Sequence, residues 1–318
     1  MAFGYNMPQH PALYAAVRPG APCRPVCEVA VKLSIVIVNW NTRDLLLGAL
    51  TSIYGAPPAF PFEVIVADNA SSDGSANAVR RDFPQAVVIA NTDNSGYARG
   101  NNQGIAASAG EFVLLLNPDV VLPPGGLGQA VAVLTARPDA GALGVRLVNP
   151  DGTVQPSVRG FPAPLSVLWE ALGLSRVFPR SRLFGAYRMT WFGYDHEAEV
   201  DQPMGTFLLM RRAALDAIGL LDERFPIFFN EVDWCYRARR GGWKILFTPA
   251  VEVVHYGGGS TRQVWQAMAW ESRRGLLAFY RKHFTAPLYA PAYWLAVASS
   301  ALFAWLQARG RKSSSQPG

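Results

Sequence analysis

Cysteine is scarce in this sequence, and its scarcity limits the class of protein. The 318 residues include three cysteines, Cys23, Cys27 and Cys235. Three cysteines do not make a paired disulfide framework, and Cys23-x-x-x-Cys27 has no second Cys or His cluster with which to build a zinc site. The reducing cytoplasm is therefore the simplest compartment for this chain.

The sequence also lacks the apolar segment of a secretory signal peptide and a large net charge. Residues 1–30 hold five prolines and no apolar segment of the kind found in secretory signal peptides, so we expect a disordered extension there. The Ser-rich residues 311–318 predict a disordered tail. The net charge of +6 suits phosphate-bearing ligands or an anionic membrane surface, but it is too dispersed to indicate a nucleic-acid partner.

What the sequence does contain is a regular alternation of strand and helix signals. Apolar segments rich in β-branched residues, at 33–38, 63–67, 86–91 and 111–117, alternate with segments of helical periodicity. Apolar residues throughout a strand are typical of a sheet that is covered on both faces. The pattern predicts an α/β fold with a doubly wound, mostly parallel sheet, helices on both faces and right-handed crossovers.

Asparagine or aspartate follows each of these four strands. The strand ends carry Asn39, Asp68, Asn91, Asn117 and Asp119. In doubly wound sheets, ligands bind beyond the carboxyl ends of the strands. Turns also favour Asn and Asp, but that explanation fits one or two strand ends better than all four. We therefore predict a ligand crevice with Asp119 on its rim.

The second half of the chain has fewer regular signals and three further candidate residues. Residues 155–200 are rich in proline and aromatic residues and predict a long functional loop or insertion, whose aromatic side chains either contact a ligand or simply pack. Glu231 and Asp233 begin a predicted helix, where acidic side chains also serve as partners of the helix dipole. His255 precedes three glycines, which let backbone approach a diphosphate closely.

Six segments together resemble a known family. They read SIVIVNWN, VIVADNASSDGS, NSGYARGNNQGI, FVLLLNPDVVL, GLLDERFPIFFNEVDWCYR and HYGGGST. In this order, over residues 33–261, they resemble the inverting family 2 glycosyltransferases, and most closely their bacterial rhamnosyltransferase-like branch. The resemblance implies a GT-A fold over 31–262, with a nucleotide-binding half at 31–122 and an acceptor-binding, catalytic half at 123–262. Residues 263–310 are expected to form a C-terminal helical extension.

Metal-binding and catalytic roles are implied by the resemblance, position by position. Asp119 matches the last acid of the family's Asp-x-Asp motif and His255 matches the histidine that completes its metal site, so Mg²⁺ or Mn²⁺ is expected there. Such a hard cation suits carboxylate, diphosphate and imidazole ligands. Glu231 takes the position of the catalytic base, and Asn230 replaces the acid that commonly precedes it. Asp233 is assigned to the same catalytic segment, where it holds the loop or contacts the acceptor.

A nucleotide pocket is also implied by the resemblance. Its expected residues are Asn39, Asn41, Asp68, Asn94, Arg99 and Asn117. Asp68 matches the acid that hydrogen-bonds the pyrimidine ring. Asn117 replaces the first acid of the Asp-x-Asp motif, so it can accept a hydrogen bond but carries no charge.

The expected activity is metal-dependent, inverting transfer of a sugar, with rhamnose as the first choice. The donor would be dTDP- or UDP-linked, and the acceptor a glycan or polyprenyl-linked glycan in cell-surface polysaccharide synthesis. Two alternatives remain open. A weak or inactive sugar-nucleotide-binding homologue is favoured by Asn117 and Asn230. A nucleotidyltransferase would need a glycine-rich, basic phosphate loop after the first strand, and VNWNTRD has no glycine there.

The segment from 284 to 307 contains no charged residue and is about long enough to span a bilayer. Basic residues on both sides also suit a helix that lies on the membrane surface, and Pro287 and Pro291 shorten the uninterrupted helix. Shallow attachment through 284–308, a spanning helix and a helix packed on the domain all remain open. Attachment would make the protein cytoplasmic and peripheral on the inner face of the cell membrane.

Overall fold

The computed structural model describes residues 30–258, 265–291, 293–295, 297–298, 301 and 305. The expected N-terminal extension, apart from residue 30, and the expected C-terminal tail lie outside the described residues.

The described chain alternates between strands and helices. The strands are β1 (Leu33–Asn39), β2 (Phe62–Asp68), β3 (Val87–Ala90), β4 (Phe112–Leu116), β5 (Val120–Val121), β6 (Ala140–Val148), β7 (Val158–Arg159), β8 (Ala198–Glu199), β9 (Gln202–Pro203), β10 (Phe207–Arg211) and β11 (Lys244–His255). The helices are α1 (Arg43–Gly55), α2 (Ser75–Asp82), α3 (Tyr97–Ala106), α4 (Gly126–Thr135), α5 (Pro164–Ala171), α6 (Leu174–Val177), α7 (Arg212–Ile218), α8 (Asn230–Arg240) and α9 (Trp265–His283).

One large mixed sheet organises the molecule. Its strands run in the order β3-β2-β1-β4-β10-β6-β11-β5, and β8 pairs with β11. The four N-terminal strands are parallel to one another, whereas β10 runs antiparallel to both β4 and β6. The prediction of an α/β fold with a mostly parallel sheet is confirmed. The antiparallel β10 joins the N-terminal strands to those of the second half.

The sheet is buried on both faces, as uninterrupted apolar strands require. Leu33, Ile35 and Ile37 of β1 pack into one apolar cluster with residues of α1 and α4. Val36 of the same strand packs into a second cluster with residues of α3, α7 and α8. Because side chains alternate across a strand, β1 supplies both layers, and helices cover each face of the sheet.

The polar break after β4 lets the chain return to the sheet at its other end. Asn117, Pro118 and Asp119 leave the sheet, and Val120–Val121 re-enters it as β5, antiparallel to the end of β11. In this pairing Val120 lies opposite His255. The Asp119 carbonyl also accepts a 2.9 Å hydrogen bond from the backbone N–H of Tyr256. The apolar residues behind Asp119 therefore anchor it beside His255.

Two expectations for the second half need correction. Residues 244–255, expected as short strands, form the single 12-residue strand β11, whose register against β6 shifts between Thr248 and Glu252. The shift lets one strand bend where separate short strands were expected. Residues 155–200 contain the short helices α5 and α6, and the two-residue strands β7 and β8, in addition to loop.

The predicted C-terminal helical extension is helical in α9 and at the described positions between 290 and 305. Phe279 and Tyr280 of α9 pack against Phe225, Phe229 and Val232 in a third apolar cluster, so α9 is docked on α8. Among the described residues, no helix has both the length and the apolar character needed to cross a bilayer.

Candidate active site

A cavity of about 400 Å³ opens beyond the carboxyl ends of β1 and β4. This is the position that the strand ends predict for a ligand crevice. Its polar lining includes Asn39, Asn69, Asn94, Tyr97, Asn117, Asp119, Thr206 and Glu231. Its apolar lining includes Trp40, Met204, Ile227, Phe228 and Met268. Both halves of the chain therefore contribute to one cavity.

Asp119 lines one side of the cavity, and His255 lies directly behind it, outside the lining. The His255 Nε2 atom is 3.4 Å from Asp119 Oδ1, and both side chains are more than 90% buried. Asp119 immediately precedes β5 and His255 ends β11, so the pairing of these two strands brings the two residues together. Gly257 and Gly258 follow with left-handed backbone, at φ values of +70° and +76°, and Gly258 lines the cavity. Such a turn brings bare backbone close to any ligand held beside His255.

Gln155 orients the His255 ring. The Gln155 Nε2 group donates to the His255 backbone carbonyl at 2.8 Å and to Asn149 Oδ1 at 2.7 Å. Its Oε1 atom is therefore left to accept from His255 Nδ1, at 2.8 Å. With the proton on Nδ1, the lone pair of Nε2 is directed toward Asp119, and this buried atom has no hydrogen-bond partner among the described residues.

The donor chemistry of this pair fits a divalent cation. A carboxylate oxygen beside an imidazole nitrogen whose other ring atom is hydrogen-bonded is a common ligand arrangement. No group of three or more His, Cys, Asp or Glu side chains that could hold a metal occurs in the part of the chain that the structure describes. A cation held by Asp119 and His255 would therefore take its other ligands from substrate oxygens or water.

Glu231 faces the same cavity from the first turn of α8. Burial raises the pKa of Glu231 to about 7, although the positive charge of Arg159 acts in the opposite direction. Tyr97, which also lines the cavity, donates its hydroxyl to the Gly205 carbonyl at 2.9 Å. Burial and the Glu231 carboxylate both raise the pKa of Tyr97, so it remains a neutral donor. Glu231 is thus a partly ionised carboxyl group near neutral pH.

Asp233 points away from the cavity, although it was predicted beside Glu231 as a catalytic residue. Its fully buried carboxylate contacts Arg237 at 2.8 Å, Lys282 at 2.6 Å and His283 at 2.7 Å. Burial acts to raise the pKa of Asp233, but the hydrogen bonds from His283, Lys282 and Arg237 outweigh it and hold the pKa below its usual value. In the structure this carboxylate ties α9 to α8.

Asn230, which replaces a common acid, is held by buried hydrogen bonds to backbone carbonyls. It is fully buried at the start of α8, and its Nδ2 group donates to the Ile227 carbonyl at 2.9 Å and the Phe225 carbonyl at 3.3 Å. A carboxylate has no N–H to donate and would repel these carbonyl oxygens. The amide therefore suits the turn that leads into α8.

The predicted nucleotide residues do not all reach the cavity. Asn39, Asn94 and Asn117 line it, together with Asp119. Asp68 is buried behind Asn39, whose Nδ2 group donates to Asp68 Oδ2 at 2.8 Å.

Two other predicted nucleotide residues lie further out. The Asn41 side chain accepts from the Ser72 backbone N–H at 2.8 Å, in the loop beside the cavity. Arg99 is exposed on α3, outside the described cavity lining.

Several residues of the cavity, and the partner of His255, were not predicted from the sequence. Tyr97 lies in the segment NSGYARGNNQGI, where its position at the start of a predicted helix could have indicated a site residue. Gly205 and Thr206 lie between β9 and β10, where Met-Gly-Thr interrupts an apolar run. Gln155 is 100 residues from its partner His255 and gave no local signal.

Solved structures share this architecture. A mannosyltransferase from Pyrobaculum calidifontis, in complex with GDP-Man and Mn²⁺, matches with a TM-score of 0.54 and 19% identity over 92% of this chain and 79% of that one. TarS of S. aureus, residues 1–349, matches with a TM-score of 0.51 and 17% identity over 85% and 80%. At these identities the likeness establishes the fold, which is the GT-A glycosyltransferase fold.

Sequence relatives define the family. The family model described as "Glycosyltransferase like family 2" matches residues 31–278. The N-acetylglucosaminyl-diphospho-decaprenol L-rhamnosyltransferase of Mycobacterium tuberculosis is 32% identical over 240 residues, which cover 72% of this chain and 77% of that protein. The low-salt glycan biosynthesis hexosyltransferase Agl10 of Haloferax volcanii is 27% identical over 228 residues, covering 70% and 66%. The chain is a glycosyltransferase, and it belongs to glycosyltransferase family 2.

Proposed function

We propose that this chain is a metal-dependent, inverting glycosyltransferase that uses a nucleoside-diphosphate sugar. One observation carries the proposal. A carboxyl group with a pKa near neutrality, Glu231, faces the same cavity as the Asp119–His255 pair, at the carboxyl ends of the strands. A proton acceptor and an anion-stabilising site on one cavity are what displacement of a diphosphate from a sugar requires.

Glu231 acts as the general base in this proposal. Its ionised carboxylate accepts the proton of the attacking acceptor hydroxyl while the new bond forms at the anomeric carbon and the bond to the diphosphate breaks. A positioned base contributes about 10²–10⁴-fold to such a step. Attack on the face opposite the leaving group, without a covalent enzyme intermediate, inverts the anomeric centre.

Asp119 and His255 would hold Mg²⁺ or Mn²⁺, which supplies positive charge to stabilise the leaving diphosphate. Asn39, Asn94 and Asn117 would hydrogen-bond the nucleotide, with Asp68 holding Asn39 in place. Asn117 adds no negative charge to the site, so a ligand diphosphate meets one fewer carboxylate than in an Asp-x-Asp motif.

The donor sugar in this proposal is rhamnose, carried by dTDP or UDP, and the acceptor is a glycan or polyprenyl-linked glycan of a cell-surface polysaccharide. Support comes from the mycobacterial relative, whose name describes rhamnosyl transfer to a diphospho-decaprenol-linked sugar. A lipid-linked acceptor would place the enzyme in the cytoplasm, on the inner face of the cell membrane.

Nucleoside diphosphate release tests the proposal. A panel of dTDP-, UDP- and GDP-sugars is incubated with the full chain, with and without Mn²⁺ or Mg²⁺, and slow donor hydrolysis is followed without an acceptor. We expect metal-dependent release from one donor, reduced at least about 10²-fold in Glu231→Gln. Glu252→Gln, an exposed acid on β11, is the matched control and should retain wild-type release.

Binding measurements separate a failed assay from a failed assignment. If no donor is hydrolysed, metal-dependent nucleotide binding that Asp119→Asn abolishes would support the inactive-homologue alternative. Absence of nucleotide binding under all conditions would reject the site.

A further inference from the structure

Exposed apolar side chains are concentrated in two segments of the described chain. Large apolar residues that are exposed number fourteen among the described residues, and nine of them lie in 165–183 or 289–305. The first segment supplies Leu165, Leu172, Val177, Phe178 and Leu183, and the second supplies Tyr289, Trp294, Leu295 and Trp305. Together with the exposed Arg176 and Arg180, these nine residues form what we call the basic apolar surface. Exposed apolar side chains clustered in this way mark an interaction surface.

The two segments meet at one apolar cluster. Val167 of α5 and Tyr293 both pack against the cluster that contains Phe279 and Tyr280 of α9. The Tyr293 ring lies 6.1 Å from that of Tyr280, and Trp294 lies 5.3 Å from Tyr293, centroid to centroid. The short helices α5 and α6 and the residues after α9 are therefore held on the same part of the molecule.

The charge beside these apolar residues is almost entirely positive. Residues 160–192 contain four arginines, at 176, 180, 182 and 188, and one acid, Glu170. Glu170 pairs with Arg188 at 2.5 Å, and the Arg182 guanidinium lies 4.7 Å from the Trp191 ring centroid. Arg176 and Arg180 are exposed. Exposed arginines beside exposed leucine, phenylalanine and tryptophan are complementary to anionic headgroups above an apolar layer.

The composition favours a bilayer over a protein partner. Tryptophan and tyrosine are the aromatic residues that prefer the membrane–water interface, and 289–305 supplies three of them to the surface. The one acid in residues 160–192, Glu170, is already paired with Arg188, so the remaining arginines match the uniform negative charge of an anionic headgroup layer.

The same cluster also reaches the active-site cavity. Phe228 lines the cavity and packs against the cluster of Phe279 and Tyr280. Met268 of α9 lines the cavity as well. A bilayer seated on the basic apolar surface would therefore lie next to the cavity that contains Glu231.

We propose that the basic apolar surface seats the protein on an anionic phospholipid bilayer, with α5 and α6 as a contact in addition to the C-terminal segment. The bilayer contact stands on the exposed residues alone. That it presents a lipid-linked acceptor to Glu231 rests on the proposed function.

Vesicle co-sedimentation of the full chain tests the contact. We expect binding to phosphatidylcholine vesicles that contain about 30% phosphatidylglycerol, weaker binding to pure phosphatidylcholine, and a loss of affinity as salt is raised. The double variant Phe178→Ser with Leu183→Ser should lower the partition constant about tenfold or more, because serine side chains gain nothing from burial in the apolar layer of the bilayer. Arg176→Gln and Arg180→Gln should each lower binding to the anionic vesicles about fivefold, with little effect on neutral ones.

Matched controls come from elsewhere on the surface. Val87→Ser and Leu220→Ser remove exposed apolar residues, and Arg80→Gln removes an exposed charge on α2, so vesicle binding should be unchanged in all three. Wild-type binding that is absent, or that falls equally in the control variants, would overturn the proposal. Circular dichroism confirms that each variant is folded.

Donor hydrolysis in the absence of lipid separates this proposal from the proposed function. The variants of 176–183 should hydrolyse the donor at the wild-type rate, because they lie outside the catalytic cavity. Vesicle binding without donor hydrolysis would support the bilayer contact and would count against the proposed function alone. A variant could lose vesicle binding and also lose donor hydrolysis measured without lipid. That result would show that the substitution disturbs the fold, and it would count against the proposal.

Discussion

Among single residues, Glu231 has the environment with the clearest chemical consequence. Burial raises its pKa to about 7, and the positive charge of Arg159 partly opposes this shift. Burial also raises the pKa values of the neighbouring Tyr97 hydroxyl and Cys235 thiol. These neighbours therefore remain neutral when Glu231 titrates. A carboxylate with a pKa near neutrality is a stronger base than an exposed one and is still ionised in a large fraction of molecules.

This environment predicts a pH profile. The rate of nucleoside diphosphate release at low donor concentration should increase with pH through an apparent pKa near 7, because only the ionised Glu231 accepts a proton. Rates measured from about pH 5.5 to 8.5 would check this, with Glu252→Gln as the control. A Glu231→Gln variant that keeps the same ascending limb would contradict the assignment.

Asn230 shows why the acid common at its position in the family is absent here. Its buried amide donates to two carbonyl oxygens, which a carboxylate cannot do. We expect Asn230→Asp to lower the free energy of unfolding by about 1–3 kcal/mol, because it removes these donors and buries a charge against carbonyls. Urea unfolding measures the loss, with Asn117→Asp, a partly buried residue on the cavity, as the matched control. Equal losses in the two variants would exclude this explanation.

The sequence placed Glu231 and Asp233 in one short segment but could not say which one faces the cavity. Residues two apart on a helix point about 200° apart, so at most one of the pair can face a given side. The choice depends on where α9 packs, and that contact joins residues about 50 positions apart in the chain. Gln155 was missed for the same reason, since its function depends on a partner 100 residues away.

At the scale of elements, α9 is clamped to α8 by ionic contacts as well as by the apolar cluster. The Asp233 carboxylate contacts Arg237 of its own helix and both Lys282 and His283 at the end of α9. Lys282 also contacts Asp222 at 2.7 Å. The clamp begins two residues after Glu231, so it fixes the helix that carries the proposed base.

The clamp predicts a pH-dependent stability. Because the pKa of Asp233 is lowered on folding, its contribution is fully present above the unfolded pKa of about 3.9 and is lost as pH falls through the folded value. We expect Asp233→Asn to be about 3 kcal/mol less stable at pH 7, the lower end for a broken buried ion pair, because Arg237 and Lys282 lose this partner but keep partial contact with solvent. The deficit should shrink below about pH 4.

Chemical unfolding at several pH values measures this difference. Asp216→Asn, an exposed acid on α7, is the matched control and should change stability little. A deficit in Asp233→Asn that stays constant down to the lowest pH would show that the ionised carboxylate does not hold α9 in place.

Elements were predictable from the sequence where their signal is local. The apolar runs of β1 to β4 and the helical spacing between them predicted these strands and the helices between them correctly, because each signal lies within one element. The two-residue strand β5 was not predicted, since its existence depends on pairing with β11. The short helices α5 and α6 were missed among prolines and aromatic residues that lack a clear period.

At the scale of the whole molecule, the sheet order brings residues from both halves to one cavity. The antiparallel strand β10 sits between β4 and β6, so the loop that carries Asn117 and Asp119 lies against Thr206. Glu231, which lines the cavity, and His255, which lies against Asp119, come from elements of the second half. A ligand that contacts Asn39, Asp119 and His255 would therefore bridge strands that are far apart in sequence.

Such a ligand should stabilise the entire chain. UDP or dTDP at about 100 times its Kd adds about 2.7 kcal/mol, which corresponds to a rise in Tm of roughly 5 °C for a domain of this size. We expect this rise only when Mn²⁺ is present, its loss in Asp119→Asn, and a smaller rise in Gln155→Leu because His255 is no longer oriented. Thermal unfolding of these variants, with Glu252→Gln as the control, makes the comparison. A Mn²⁺-dependent rise of equal size in Asp119→Asn would reject the metal site, because the cation would then be held without its carboxylate.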